Sequence, residues 1–139
     1  EFPQLAGRPL VVRGFVWFQG WNDMYDEDAR VQYEDNLVHL IGDVRAEYNT
    51  PRLPVIIGEL GNGGPEASDK MLAIRAAQQA AASRPELQGN VKFISTTAFA
   101  RPKDESPNVG HGHHWFGNAE SYFLIGDALG QGMVELLQP

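Results

Sequence analysis

The chain has 139 residues, with 11 Lys plus Arg against 18 Asp plus Glu, a net charge of −7, 42% hydrophobic residues and 21% charged residues. That fits one globular domain, burying roughly two thirds of the surface its unfolded chain would expose, and it excludes global disorder. The acidic balance, with no Lys/Arg cluster, speaks against nucleic acid or an anionic membrane as partner; with no cysteine, disulfides and thiolate metal sites are excluded, and no run approaches the length of a membrane span.

The opening, Glu1-Phe2-Pro3-Gln4, is compatible with a natural domain start, a mature N-terminus or a cut through a larger protein, and it does not read as a basic-then-apolar signal segment. The first expected strand is Leu10 to Phe18, a nearly continuous apolar run. Asp26, Glu27 and Asp28 then stand where negative charge favours a helix start. Val31, Val38, Ile41 and Tyr48 recur at helical spacing, flanked by Leu37 and Val44, and Pro51 stops the helix. Val55-Ile56-Ile57 is the second strand, again apolar on both faces.

An Ala-rich helix follows from about Ser68 to Arg84, with Met71, Ile74 and Ala81 inward and Pro85 as breaker. Val91 to Ile94 is the third strand. The last helix has Asn118 as N-cap and Tyr122, Ile125, Leu129, Met133 and Leu136 inward; Gly126 and Gly130 are expected to let it approach the sheet. The order strand–helix–strand–helix–strand–helix describes one α/β domain with a parallel sheet and right-handed crossovers. Three strands are few for a sheet covered on both faces, so further strands are expected from a missing N-terminal segment or another chain. Ala100 to Gly112 is the one long loop, a type that tends to carry function.

Ligands of parallel α/β sheets bind beyond the carboxyl ends of the strands. Gln19-Gly20-Trp21-Asn22-Asp23 follows the first strand, Gly58-Glu59-Leu60-Gly61-Asn62 the second, and Ser95-Thr96-Thr97 the third; His111-Gly112-His113-His114-Trp115 enters the last helix. Strand polarity puts all four on one rim. The Gln19 amide can donate to an oxyanion, with Gly20 letting its own N–H come close, or it can simply tie down a loop. Glu59 leaves a buried strand and needs a partner. It either orients an imidazole, as in a hydrolase triad, or forms an ion pair or braces a loop.

The histidines read as a general base, as a metal site of two or three ligands, or as a solvated loop. Adjacent loop residues rarely all point at one ion, and His39 lies apart in the first helix. No G-x-S-x-G elbow is present, and Ser68, Ser83, Ser95, Ser106 and Ser121 all sit in contexts unlike a nucleophile's. A base and its acid without a nucleophile describe half of an enzyme or a binding module.

Phe15-Val16-Trp17-Phe18-Gln19-Gly20-Trp21-Asn22-Asp23 resembles the W-x-Q-G-x-x-D signature of sialate O-acetylesterases and acetyl xylan esterase-like proteins, within the SGNH/GDSL hydrolase superfamily. Val55 to Gly61 resembles that family's second block, and His113 to Gly126 its final block. The resemblance implies a three-layer α/β/α, flavodoxin-like hydrolase that removes acetyl groups from sugars without a metal or other cofactor. It implies that Gln19 helps form the oxyanion hole, that His114 is the general base, and that Glu59 orients it. By residue type and position, Gly20, Trp21, Asn22 and Trp115 are candidate substrate contacts.

Three positions depart from the pattern. Trp21 stands where many relatives have Glu, and His111 stands where Asp often precedes the catalytic His. The N-terminal G-x-S block with the nucleophile has no counterpart. The expectation is therefore a C-terminal βαβαβα portion of a carbohydrate O-acetylesterase, inactive by itself, with secretion or a periplasmic location implied only by resemblance. The alternative is a non-catalytic carbohydrate-binding or interaction domain of the same fold.

Overall fold

The computed structural model describes residues 2–9 and 11–138. Its regular elements are β1 (Phe15–Trp17), α1 (Glu27–Glu47), β2 (Val55–Gly58), α2 (Asp69–Ala82), β3 (Val91–Ile94) and α3 (Ala119–Leu137), with short 3-10 turns between them. The strands form one parallel sheet in the order β1-β2-β3. Phe15, Val55 and Val91 lie in register, as do Val16, Ile56 and Lys92 on the opposite face. The expected α/β architecture is therefore present.

Alternation of side chains across the sheet divides the core in two. Val55 and Ile57 face α1 and α2, in a cluster with Leu37, Ile41 and Ile74. Ile56 faces α3, with Ile125, Leu129 and Trp115. The three central isoleucine and valine positions of β2 are fully buried, each contributing about 1.5–3 kcal/mol. This gives three layers, with two helices on one face and one on the other. The single helix leaves Val16 of β1 46% exposed, whereas Ile56 beside it is fully covered.

The helix starts follow capping chemistry. The Asp26 carboxylate accepts the Ala29 N–H at 2.9 Å, with Glu27 and Asp28 in the first turn. Ser68 caps α2 through the Met71 N–H, and Asn118 caps α3 through the Ser121 N–H.

Several expectations need correction. β1 is only three residues long, because Val11 to Gly14 make no ladder with β2; Leu10 lies outside the described residues. The inward stripe of α1 is Tyr33, Leu37, Ile41 and Arg45, while Val31 and Tyr48 are exposed. Arg45 is buried because its guanidinium donates to the Leu53 carbonyl at 3.0 Å and to Asn90, fixing the approach to β2. On α3, Tyr122 is turned outward and its hydroxyl donates to the His114 carbonyl. Gly126 and Gly130 face open space; the close approach is at Gly132, where a Cβ would lie 2.8 Å from Ile94 Cδ1 and 3.2 Å from Ile56 Cδ1.

Candidate active site

The first wall of the site is the turn after β1. The Gln19 carbonyl accepts the Tyr33 hydroxyl at 2.6 Å and the Gln78 amide at 2.9 Å. The Gln78 carboxamide oxygen in turn accepts the Leu60 N–H at 2.8 Å, so the turns after β1 and β2 hang on one buried side chain of α2. Burial pushes the Tyr33 phenol up, against the opposing pull of its Trp17 and Gln78 hydrogen bonds. It therefore stays protonated and keeps donating. The Gln19 side-chain amide donates to Asp23 Oδ2 at 2.5 Å. Asp23 is thus the anchor that aims the amide, and it explains physically the fixed spacing of Gln and Asp in the motif. Gly20 has φ +155°, and a Cβ there would lie 2.7 Å from Ile74 Cγ2. Only glycine lets this turn settle on α2 without strain.

The second wall is the histidine turn, 112–117. Trp115 and Phe116 adopt left-handed backbone, φ 51° and 53°, conformations that cost of order 1–3 kcal/mol each unless the surroundings impose them. Backbone bonds from Asn108 N–H to the Phe116 carbonyl and from Phe116 N–H to the His111 carbonyl close the turn. The rings of His113 and His114 lie 4.2 Å apart, and His113 sits 5.6 Å from Trp21 across the cleft. Partial desolvation, then the neighbouring imidazoles of His114 and His111, push the His113 pKa down, favouring the neutral ring at pH 7. The His111 ring is held separately, by Asn108 Oδ1 at 2.5 Å.

Between the walls lies a cleft of about 360 Å³, within the usual range of small-molecule sites. Gln19, Gly20, Trp21, Asn22, His114 and Trp115 all line it. Trp115 contributes a floor rather than an open stacking face: it is 5% exposed and stacked on Phe18. Trp21, part-exposed beside Tyr25 and His113, is the aromatic surface a sugar could use. Among the described residues, no group of three or more His, Cys, Asp or Glu side chains is placed to hold a metal ion.

The side-chain hydrogen bonds of Glu59 run to the end of β3, and none joins it to His114. Its Oε2 accepts four hydrogen bonds, from the Ser95 hydroxyl (2.6 Å), the Thr96 N–H (2.7 Å), and the Thr97 N–H and hydroxyl (both 2.9 Å). Its Oε1 lies 4.0 Å from Arg75 Nε. Through Oε2 the carboxylate thus braces the turn after β3. Desolvation alone would raise its pKa; the hydrogen bonds from Ser95, Thr97 and Thr96 outweigh that and hold it below the ordinary carboxylate value. Gly61 belongs to the same knot. A Cβ there would lie 2.3 Å from Thr96 Oγ1 and under 3 Å from the backbone of Thr96 and Thr97.

None of the chain's serines lines the cleft, and each hydroxyl is engaged elsewhere. Ser68 caps α2; Ser83 donates to the Gln79 carbonyl, Ser95 to Glu59, Ser106 to the Pro102 carbonyl and Ser121 to the Phe99 carbonyl.

A two-walled cleft with an amide and imidazoles above a parallel sheet suits ester chemistry, and comparison with known families decides the assignment. The family described as carbohydrate esterase, sialic acid-specific acetylesterase, matches residues 4–134. The chain belongs to this carbohydrate esterase family. No curated protein and no solved structure matches it. Membership brings acetylated carbohydrates as the substrate class.

Asp23, Arg75, Gln78 and Asn62 were not among the residues expected at the site. The signal for Asp23 was the i, i+4 spacing within the motif. Arg75 and Gln78 show only as polar residues among the apolar inward positions of α2, and Asn62 only as a turn residue.

Proposed function

We propose that this chain carries the general-base and oxyanion-stabilising part of a serine-type carbohydrate acetylesterase, and that the nucleophilic serine lies on a segment outside these 139 residues. The observation that carries the proposal is that Gln19 and His114 line one cleft that no serine of the chain lines. The half-uncovered Val16 at the β1 edge supports a further strand or helix joining there, so that the chain is one portion of a larger α/β domain.

In this reading the incoming serine oxygen attacks the acetyl carbonyl while His114 takes its proton. The carbonyl oxygen becomes an oxyanion, and the Gln19 amide donates to it through an N–H not used by Asp23. The imidazolium then protonates the departing sugar alkoxide, leaving acetyl on the serine. Water, deprotonated by His114, attacks that ester. Acetate leaves, and the serine regains its proton. Trp21 and Asn22 contact the sugar. Glu59 does not orient the base; the backbone of the histidine turn does.

The test compares p-nitrophenyl acetate hydrolysis by the 139-residue chain, by its His114→Ala variant and by a longer natural chain that includes an upstream G-x-S block. The short chain is expected to match its variant, and the longer chain to turn over. His114-dependent turnover by the short chain would overturn the external nucleophile. A longer chain that binds O-acetylated sugar without hydrolysing it would favour the non-catalytic carbohydrate-binding reading.

A further inference from the structure

The two walls of the cleft are joined by a buried polar relay that ends on one side chain. Asn62, at the end of the turn after β2, is 3% exposed. Its Nδ2 donates to the Gly112 carbonyl at 3.1 Å and to the His113 carbonyl at 3.3 Å, spanning fifty residues of sequence. Its own backbone carbonyl accepts Arg75 Nη2 at 2.8 Å. Arg75, buried on α2, also donates from Nε to the Leu60 carbonyl at 2.8 Å and from Nη1 to the Gly64 carbonyl at 3.1 Å. One guanidinium therefore fixes the whole turn from 60 to 64, and Glu59 stands beside it as counter-charge.

These contacts meet a specific need. The histidine turn contains two non-glycine residues in left-handed backbone, and such a turn persists only where its surroundings over-determine it. On its C-terminal side, the Tyr122 hydroxyl holds the His114 carbonyl at 3.0 Å from α3. On its N-terminal side, Asn62 is the side chain that ties it to the sheet. An amide is required there, because two carbonyl oxygens converge and both need a donor.

We propose that Asn62 is a positioning residue of the esterase site: its carboxamide holds the histidine turn in register with the Gln19 wall, so that imidazole and amide address the same cleft. The inference rests on the assignment of that cleft as the active site, and it gives Glu59 an indirect place in the chemistry. Glu59 neutralises Arg75, Arg75 fixes Asn62, and Asn62 aims the histidines. Asn62 acts through the two backbone carbonyls it holds.

The test is made on the 139-residue chain by NMR and needs no turnover, so it stands or falls separately from the esterase reading. The wild-type chain is expected to show nuclear Overhauser contacts between the Trp21 indole and the His113 imidazole, whose rings are 5.6 Å apart. Asn62→Ala, which removes the side chain, and Asn62→Asp, which keeps its volume without the N–H donors, are both expected to lose these contacts. The amide signals of β1–β3 and α1–α3 should stay in place in both. Persistence of the contacts in either folded variant overturns the proposal. So does their loss together with the sheet signals in both variants, since Asn62 would then serve folding alone.

Discussion

In a longer chain carrying the proposed serine, His114→Ala is expected to lower kcat for an acetyl ester by about 10³-fold, in the middle of the range for loss of a general acid–base group. His113→Ala lowers it by less than about 10-fold, a small loss against that range. The two rings are 4.2 Å apart and both line the cleft, so proximity does not separate them. Their environments do. His113 lies against Trp21. His114 is the residue whose own carbonyl is pinned by Tyr122, at the point where the turn passes into left-handed backbone. Steady-state kinetics of both variants check this; equal losses, or a larger loss at His113, would move the base by one residue.

Glu59→Gln is expected to cost about 3 kcal/mol of folding stability, the scale for leaving a buried charge or hydrogen-bond network without its partner. The substitution is nearly isosteric, so the loss is electrostatic. An amide replaces a carboxylate oxygen that accepts four hydrogen bonds, and Arg75 loses its counter-charge.

The pH dependence has a definite sign. The folded-state pKa of Glu59 lies below its unfolded value near 4.3. Its contribution is therefore complete above that value and is lost as pH falls through the lower folded-state pKa. Denaturant titrations between about pH 5 and pH 2.5, a window that brackets the unfolded value, should show a steep fall for the wild-type chain and a shallower one for Glu59→Gln. Parallel curves would mean that the carboxylate is not held by these donors.

Much of the fold was legible because burial on both faces leaves a plain pattern. Val55-Ile56-Ile57 could be nothing but a central strand, and Asp26, Ser68 and Asn118 mark the helix starts by capping chemistry. The inward face of α1 was less legible. Its buried stripe includes Tyr33 and Arg45, whose polar ends are satisfied by the Gln19 and Leu53 carbonyls, while Val31 and Tyr48 are apolar and outside. A hydropathy pattern counts side chains, not the carbonyls that will meet them. The glycines of α3 show the same limit: Gly126, Gly130 and Gly132 are equivalent as residues, and only the rotation of the helix selects Gly132 for the sheet.

At the site, the convergence of Gln19, Trp21 and His114 followed from strand polarity alone, since parallel strands deliver their following turns to one rim. The partner of Glu59 did not. Sequence says that a carboxylate at the end of a buried strand needs donors; it does not rank a distant imidazole against the hydroxyls and amides of the neighbouring strand's end. Ser95-Thr96-Thr97 was the available signal, because β3 lies beside β2 and ends level with it. Asn62 carried no signal of its own, being an ordinary turn residue until the histidine turn is folded onto it.

The central claim, that the Gln19 and His114 walls enclose one sugar-ester site, is tested most directly by titrating the 139-residue chain with an O-acetylated sialoside and following both walls by NMR. An isolated partial site is expected to bind weakly, with Kd on the order of 1 mM, about −4 kcal/mol. The account predicts that the Gln19 side-chain amide, the Trp21 indole and the His114 imidazole shift together along one binding curve. Shifts confined to one wall with the other silent, or centred on a different face of the sheet, would contradict it.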